Sequence, residues 1–188
     1  IGAGIAGLAA GCYAQMNVYS SEIHEAHDKP GRLCTGWKRK GYTIDGCIHH
    51  LAGASPGVEL HRLWEELGAV QGREMVFRDT LTQVESADGQ VLTMYTDIDR
   101  LEHHMKQLSP TDAKVIEEYT NGARQFTRID LFSLMTMTPL QTALKALPVA
   151  AAFAKWSSLT LDQFAARFQD PFLRRAFPTV QYDFADIP

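Results

Sequence analysis

Gly2-Ala3-Gly4-Ile5-Ala6-Gly7 heads the chain, and its reading decides the fold. The glycines have the spacing of a strand-to-helix turn that holds a dinucleotide. The first permits the tight turn, the second lets a pyrophosphate approach the backbone, and the third lets the helix pack closely. Free N–H groups and the positive end of the helix dipole then hold the diphosphate. Alone the pattern is weak, because short glycine patterns recur in ordinary turns. A strand is expected before such a turn, yet only Ile1 precedes it, so the chain reads as the N-terminal part of a longer protein.

Residues 5–16 have helical character, with Leu8, Ala9, Ala10, Cys12 and Tyr13 expected on the packing face. Residues 19–25 read as a weak extended segment, diluted by Ser20, Ser21 and Glu22. Glu25 closes that segment. A carboxylate at this distance from a glycine turn can accept both ribose hydroxyls of an adenosine moiety. The bland alternative is a solvated acid at a strand end; the position favours the ligand reading.

Pro30-Gly31-Arg32 follows, then Leu33-Cys34-Thr35-Gly36-Trp37 and later Asp45-Gly46-Cys47-Ile48-His49. With these motifs, the run from Gly2 to Gly53 resembles the flavin-containing amine oxidase and phytoene desaturase superfamily. Within it, the chain is most similar to the phytoene desaturase and carotenoid isomerase branch. The segment Gln163 to Phe177, with its Arg-Phe-x-Asp-Pro-Phe-Leu-Arg pattern, resembles the helical substrate region of that branch. The resemblance implies FAD as cofactor, a Rossmann-like FAD-binding domain that is discontinuous and here incomplete, and part of a mainly helical α+β substrate domain. It implies cofactor contacts at Gly2, Gly4, Ala6, Gly7, Glu25, Ala26, Gly31, Arg32 and His49. Two departures stand out. Arg32 occupies the second position of a glycine doublet, or else marks a one-residue deletion. Val18 replaces a glycine that closes the first helix, leaving Asn17 as the expected left-handed cap.

The bulk composition is that of an ordinary globular protein, 45% apolar and 21% charged over 188 residues. A net charge of −4 gives no electrostatic case for nucleic acid. Lys38-Arg39-Lys40 is the densest basic run and reads as a solvated turn. Cys12, Cys34 and Cys47 lack metal-ligand spacing and read as small buried thiols in a reducing, cytoplasmic compartment. His49-His50 and His103-His104 are adjacent pairs whose side chains diverge, so no metal is expected; His103-His104 reads as a surface helical face.

A composition shift near residue 72 suggests an FAD-binding part, 1–72, and a partial substrate domain, 73–188. In the second part, Asp88-Gly89 between two alternating runs signals a hairpin. Thr96 or Asp97 caps a helix carrying Ile98, Leu101, Met105 and Leu108. Ser109-Pro110-Thr111-Asp112 opens another that buries Ile116, Tyr119, Ala123 and Phe126. Thr160 with Gln163 forms a capping box, and Asp170-Pro171 starts a short helix. The apolar stretch Leu131 to Trp156 contains Pro139, Lys145 and Pro148, which argues against a transmembrane helix. It reads first as core helices, and alternatively as the lining for a long apolar substrate resting on a membrane surface.

No catalytic acid, base or nucleophile stands out, as expected where a flavin supplies the redox chemistry. The reading is an FAD-dependent oxidoreductase acting on a small apolar, polyene-type substrate. An amine oxidase-like flavoprotein and a fragment unable to hold FAD by itself remain as alternatives, and oligomeric state is not legible.

Overall fold

In a computed structural model, residues 2–31, 34, 36–46, 51–128, 133 and 137–184 are described. Arg32, His49 and the Cys47–His50 element lie outside them. The chain divides into two compact units, Ile1–Met75 and Val76–Pro188.

The first unit opens with α1 (Ile5–Met16), whose N-cap is Gly4. Its buried positions are Gly7 and Gly11, while Leu8, Ala10 and Cys12 face outward. The packing face is therefore the glycine pair, not the expected Leu8-Ala9-Ala10 face, and Cys12 is an exposed thiol. The reason is close approach: a Cβ on Gly11 would lie 2.9 Å from Ile23 Cδ1. α1 ends in a Schellman motif, with Val18 N–H donating to Gln15 O (3.0 Å) and Tyr19 N–H to Ala14 O (2.9 Å). Val18 itself takes the left-handed conformation at φ +65°, while Asn17 stays at φ −98°. The expectation that Asn17 would take that place is thus corrected. The motif's two hydrogen bonds require the turn one residue later, and Asn17 instead sends its side-chain amide to Tyr13 O (2.8 Å).

Residues 19–25 join no ladder, and the described residues contain no parallel sheet. The unit's sheet is a hairpin of β1 (Gly36–Arg39) and β2 (Tyr42–Asp45), paired from Gly36↔Asp45 to Arg39↔Tyr42. Lys38 and Arg39 therefore belong to a strand, and only Lys40 sits in the turn. Lys40 and Gly41 both have positive φ (49° and 82°), as a two-residue type I′ loop demands. α2 (Glu59–Glu66) follows, with Leu60, Leu63 and Trp64 half-buried and Gly68 just beyond its end. Tyr13 on α1 donates to Glu66 Oε2 on α2 (2.9 Å).

The second unit begins with the expected hairpin, β3 (Thr80–Glu85) and β4 (Val91–Tyr95), turning through Asp88 and Gly89. α3 (Ile98–Leu108) is capped by Asp97, which accepts from Arg100 N–H at 2.7 Å. α3 lies on β4, and His104 corrects the surface-face reading. It is partly buried, accepts Thr93 N–H at Nε2 (3.0 Å), and meets Tyr95 edge to face. Burial pushes its imidazole down from the ordinary histidine range.

A single 3₁₀ turn, Pro110–Asp112, leads into α4 (Ala113–Phe126). Ser109 does not cap the helix backbone. Its hydroxyl donates to Asp112 Oδ2 (2.8 Å), and the buried Asp112 carboxylate also accepts the backbone N–H groups of Gln169 (2.7 Å) and Asp170 (3.0 Å). Burial pulls that carboxyl up, but these donors outweigh it and hold it below the usual range. Ile116, Thr120 and Gly122 are the buried positions of α4, while Tyr119, Ala123 and Phe126 are only partly so.

Next come α5 (Pro139–Ser157), α6 (Leu161–Ala165) and α7 (Pro171–Ala176). Capping boxes start α5 (Thr138 with Gln141) and α6 (Thr160 with Gln163), and Asp170 caps α7 through Leu173 N–H. The core joins Leu92, Met94, Leu101, Met105 and Ile116 to Phe164, Phe168, Phe172, Leu173 and Phe177. The Gln163–Phe177 run thus supplies most of the aromatic core. α5 contributes little to it: Ala152 is its one buried residue, which corrects the reading of Leu131–Trp156 as core helix for the described part. No helix among the described residues is long and apolar enough to cross a membrane.

Candidate functional site

An open groove of about 740 Å³ lies at the N-terminus of α1. It is lined by Gly4, Ile5, Ala6, Glu25, Ala26, His27, Lys29, Pro30, Gly31 and Cys34. Five positions named from sequence, Gly4, Ala6, Glu25, Ala26 and Gly31, are therefore gathered on one surface. Gly2 adjoins it, and Gly7 is buried one turn along α1, away from the lining. Arg32 and His49 lie outside the described residues.

The backbone of Ala3 joins these segments. Its N–H donates to Glu25 Oε2 at 2.6 Å, and its carbonyl accepts Gly31 N–H at 2.7 Å. Glu25 Oε1 accepts His27 N–H at 3.1 Å. Ala3 is buried beneath the turn. The glycine turn, the acid and the Gly31 loop are thus wired together through one buried residue.

Glycine is needed at two of these positions for separate reasons. A Cβ on Gly2 would sit 3.3 Å from Glu25 Oε2, crowding the carboxylate. Gly31 has φ +107°, and a Cβ there would lie 2.9 Å from Cys34 O, whose own N–H donates back to Gly31 O (2.8 Å).

The groove suits a dinucleotide on chemical grounds. Gly4 offers no side-chain cap to the first turn of α1, leaving the donors of that turn to an incoming anion. Glu25 places a carboxylate beside the turn, and the groove's lining is mainly apolar. His27, Lys29 and Cys34 are lining residues that the sequence motifs do not single out. For Lys29 a signal exists: a cation four residues beyond the acid, within the loop that turns back at Gly31. Among the described residues, no cluster of His, Cys, Asp or Glu could hold a metal.

Two comparisons with known proteins place this geometry beside a family. Residues 1–67 match the NAD(P)-binding Rossmann-like domain family. The chain is 28% identical over 185 residues to a phytoene desaturase (lycopene-forming) of a Paracoccus species. That alignment covers 94% of this chain and 35% of the relative, so the chain spans about a third of that protein's length. Residues 1–67 thus match a Rossmann-like domain family, and the chain that carries them is similar to a phytoene desaturase over nearly all of its length.

Proposed function

We propose that this chain carries part of the FAD-binding domain, residues 1–72, and part of the substrate domain, residues 73–188, of an FAD-dependent oxidoreductase of the phytoene desaturase and carotenoid isomerase type, acting on an apolar, polyene-type substrate. The observation that carries the reading is the junction at Ala3, which holds the glycine turn, Glu25 and Gly31 around one groove. The similarity to a phytoene desaturase supports the substrate class.

In this reading the first-turn N–H groups of α1, with Gly2 and Gly4, hold the diphosphate, and Glu25 accepts the ribose hydroxyls. Lys29 adds positive charge beside the acid. Gly31 lets the loop close without a side chain in the way. The flavin, when bound, supplies the redox chemistry, accepting the hydride or electrons taken from substrate. The chain's own residues bind and orient.

The visible spectrum of the purified chain tests the proposal. Flavin bands near stoichiometric occupancy, or their recovery on adding FAD, support it. A colourless protein that takes up no FAD would contradict it.

A further inference from the structure

Among the described residues β4 pairs with β3 on one side only, and its other edge lies against α3. An edge strand leaves backbone N–H groups without a ladder partner. Thr93 is buried, so its N–H cannot turn to water, and it donates to His104 Nε2 on α3 (3.0 Å). The Thr93 hydroxyl accepts Gln83 Nε2 from β3 (3.1 Å). One residue is thus held by the neighbouring strand on one side and by a histidine on the other.

The histidine bond is conditional. A ring nitrogen accepts only while it carries no proton, so the bond exists only in the neutral imidazole with its proton on Nδ1. Proton uptake at Nε2 sets a donor against a donor and leaves a buried amide unpaired. The surroundings oppose that uptake. The ring is half-buried, and Tyr95 on β4 meets it edge to face at 5.5 Å between centroids. Arg100, its guanidinium 3.8 Å from the centre of the Tyr95 ring, and the exposed His103 act on it as like charges. Asp79 is paired with Arg100 (2.7 Å). The Val91 carbonyl favours the charged form, and burial with the two cations outweighs it, holding the imidazole below its ordinary 6.5.

The far side of α3 does not share this sensitivity. Lys106 is paired with Glu117 (2.7 Å) and Arg124 with Glu102 (2.6 Å). The Glu102 carboxyl sits at about 2 and stays ionised while a histidine titrates.

We propose that His104 is a proton-operated latch between α3 and the edge of β4: neutral, it holds the Thr93 amide; protonated, it releases that edge while α3 stays joined to α4. Because the folded value is depressed, the latch is fully closed above pH 6.5 and weakens as pH falls toward the folded value. The device lies wholly within the second unit and does not require a bound flavin.

The test is NMR of the full 188-residue chain, titrated from about pH 8 to about pH 5. Hydrogen exchange at the Thr93 amide, corrected for the intrinsic pH dependence of exchange, reads the latch. In the wild type its protection falls roughly tenfold per pH unit below 6.5 and levels off where the His104 ring resonances titrate. The amides of α4 keep their protection throughout. H104Q supplies an uncharged acceptor, and its Thr93 protection does not change across the window. H103Q keeps the transition. Constant protection of Thr93 in the wild type would overturn the proposal, as would an equal fall in folded H104Q. Loss of α4 protection in step with Thr93 would also overturn it, in favour of unfolding of the whole unit. Should H104Q not fold, the wild type decides alone: a levelling-off that does not coincide with the His104 ring titration contradicts the latch.

Discussion

Ala3 N–H donates to Glu25 Oε2 at 2.6 Å, so the acid expected to hold a ribose is also tied to the glycine turn expected to hold the phosphates. The bond is short and charge-assisted, the stronger kind. Glu25→Ala removes the acceptor and leaves the buried Ala3 amide without it, a loss of about 1–3 kcal/mol in the first unit. Glu25→Gln keeps an acceptor and loses less. Hydrogen exchange at the Ala3 amide, comparing the two variants, distinguishes the brace from a purely ligand-binding role.

Val18 holds φ +65° at the end of α1, where a β-branched residue is strained, and its side chain is 95% exposed. Val18→Gly therefore removes strain and forfeits almost no packing. The expected gain is about 1 kcal/mol, from the cost of a left-handed residue with a Cβ. Chemical denaturation should show a higher midpoint; a lower one would mean the strain is relieved elsewhere.

Gly122 faces Trp156 so closely that a Cβ at this position would lie only 2.6 Å from the indole. Gly122→Ala raises helix propensity in α4 yet forces α5 away. Overpacking of this kind costs about 1–3 kcal/mol, so the net effect is destabilising. A lower thermal midpoint together with a shifted Trp156 emission is the expected result.

How much of this is legible in sequence varies by element for physical reasons. The Asp88-Gly89 hairpin, the Asp97, Thr160 and Asp170 caps and α2 are readable because local chemistry determines them. Gly4 and Glu25 are readable because glycine spacing and a distant acid form a pattern with a stated function, whereas Ala6, Ala26 and Gly31 are named only through the family resemblance. Gly11, Gly122 and His104 are not, since each is determined by what another segment brings against it: Ile23, Trp156 and the Thr93 amide. The role of Asp112 escapes a sequence reading for the same reason, because its partners lie more than fifty residues away. α5 escapes it because apolar composition alone cannot tell a core helix from one with an exposed apolar face.

Glu102 accepts from Lys106 Nζ (2.6 Å), Arg124 Nη2 (2.6 Å) and Thr120 Oγ1 (2.9 Å). The hydrogen bonds from Lys106 and then Arg124 hold its carboxyl at about 2, against an ordinary 4.5. Because the folded value is depressed, the stabilisation is complete above pH 4.5 and is lost as pH falls toward 2. Both cations are about a third exposed, so solvent screening limits the contribution to about 1 kcal/mol. Thermal melts at neutral pH and down this window should show Glu102→Gln less stable at neutrality and less sensitive to acid than the wild type.

The central claim is that the Ala3–Glu25–Gly31 junction builds a site for FAD. Isothermal titration of the chain with FAD, for wild type and Glu25→Ala side by side, tests it most directly. The account predicts saturable binding near one FAD per chain, weakened roughly tenfold or more when Glu25 loses its carboxylate. Absence of binding to the folded wild type, or equal binding by the folded variant, would contradict it.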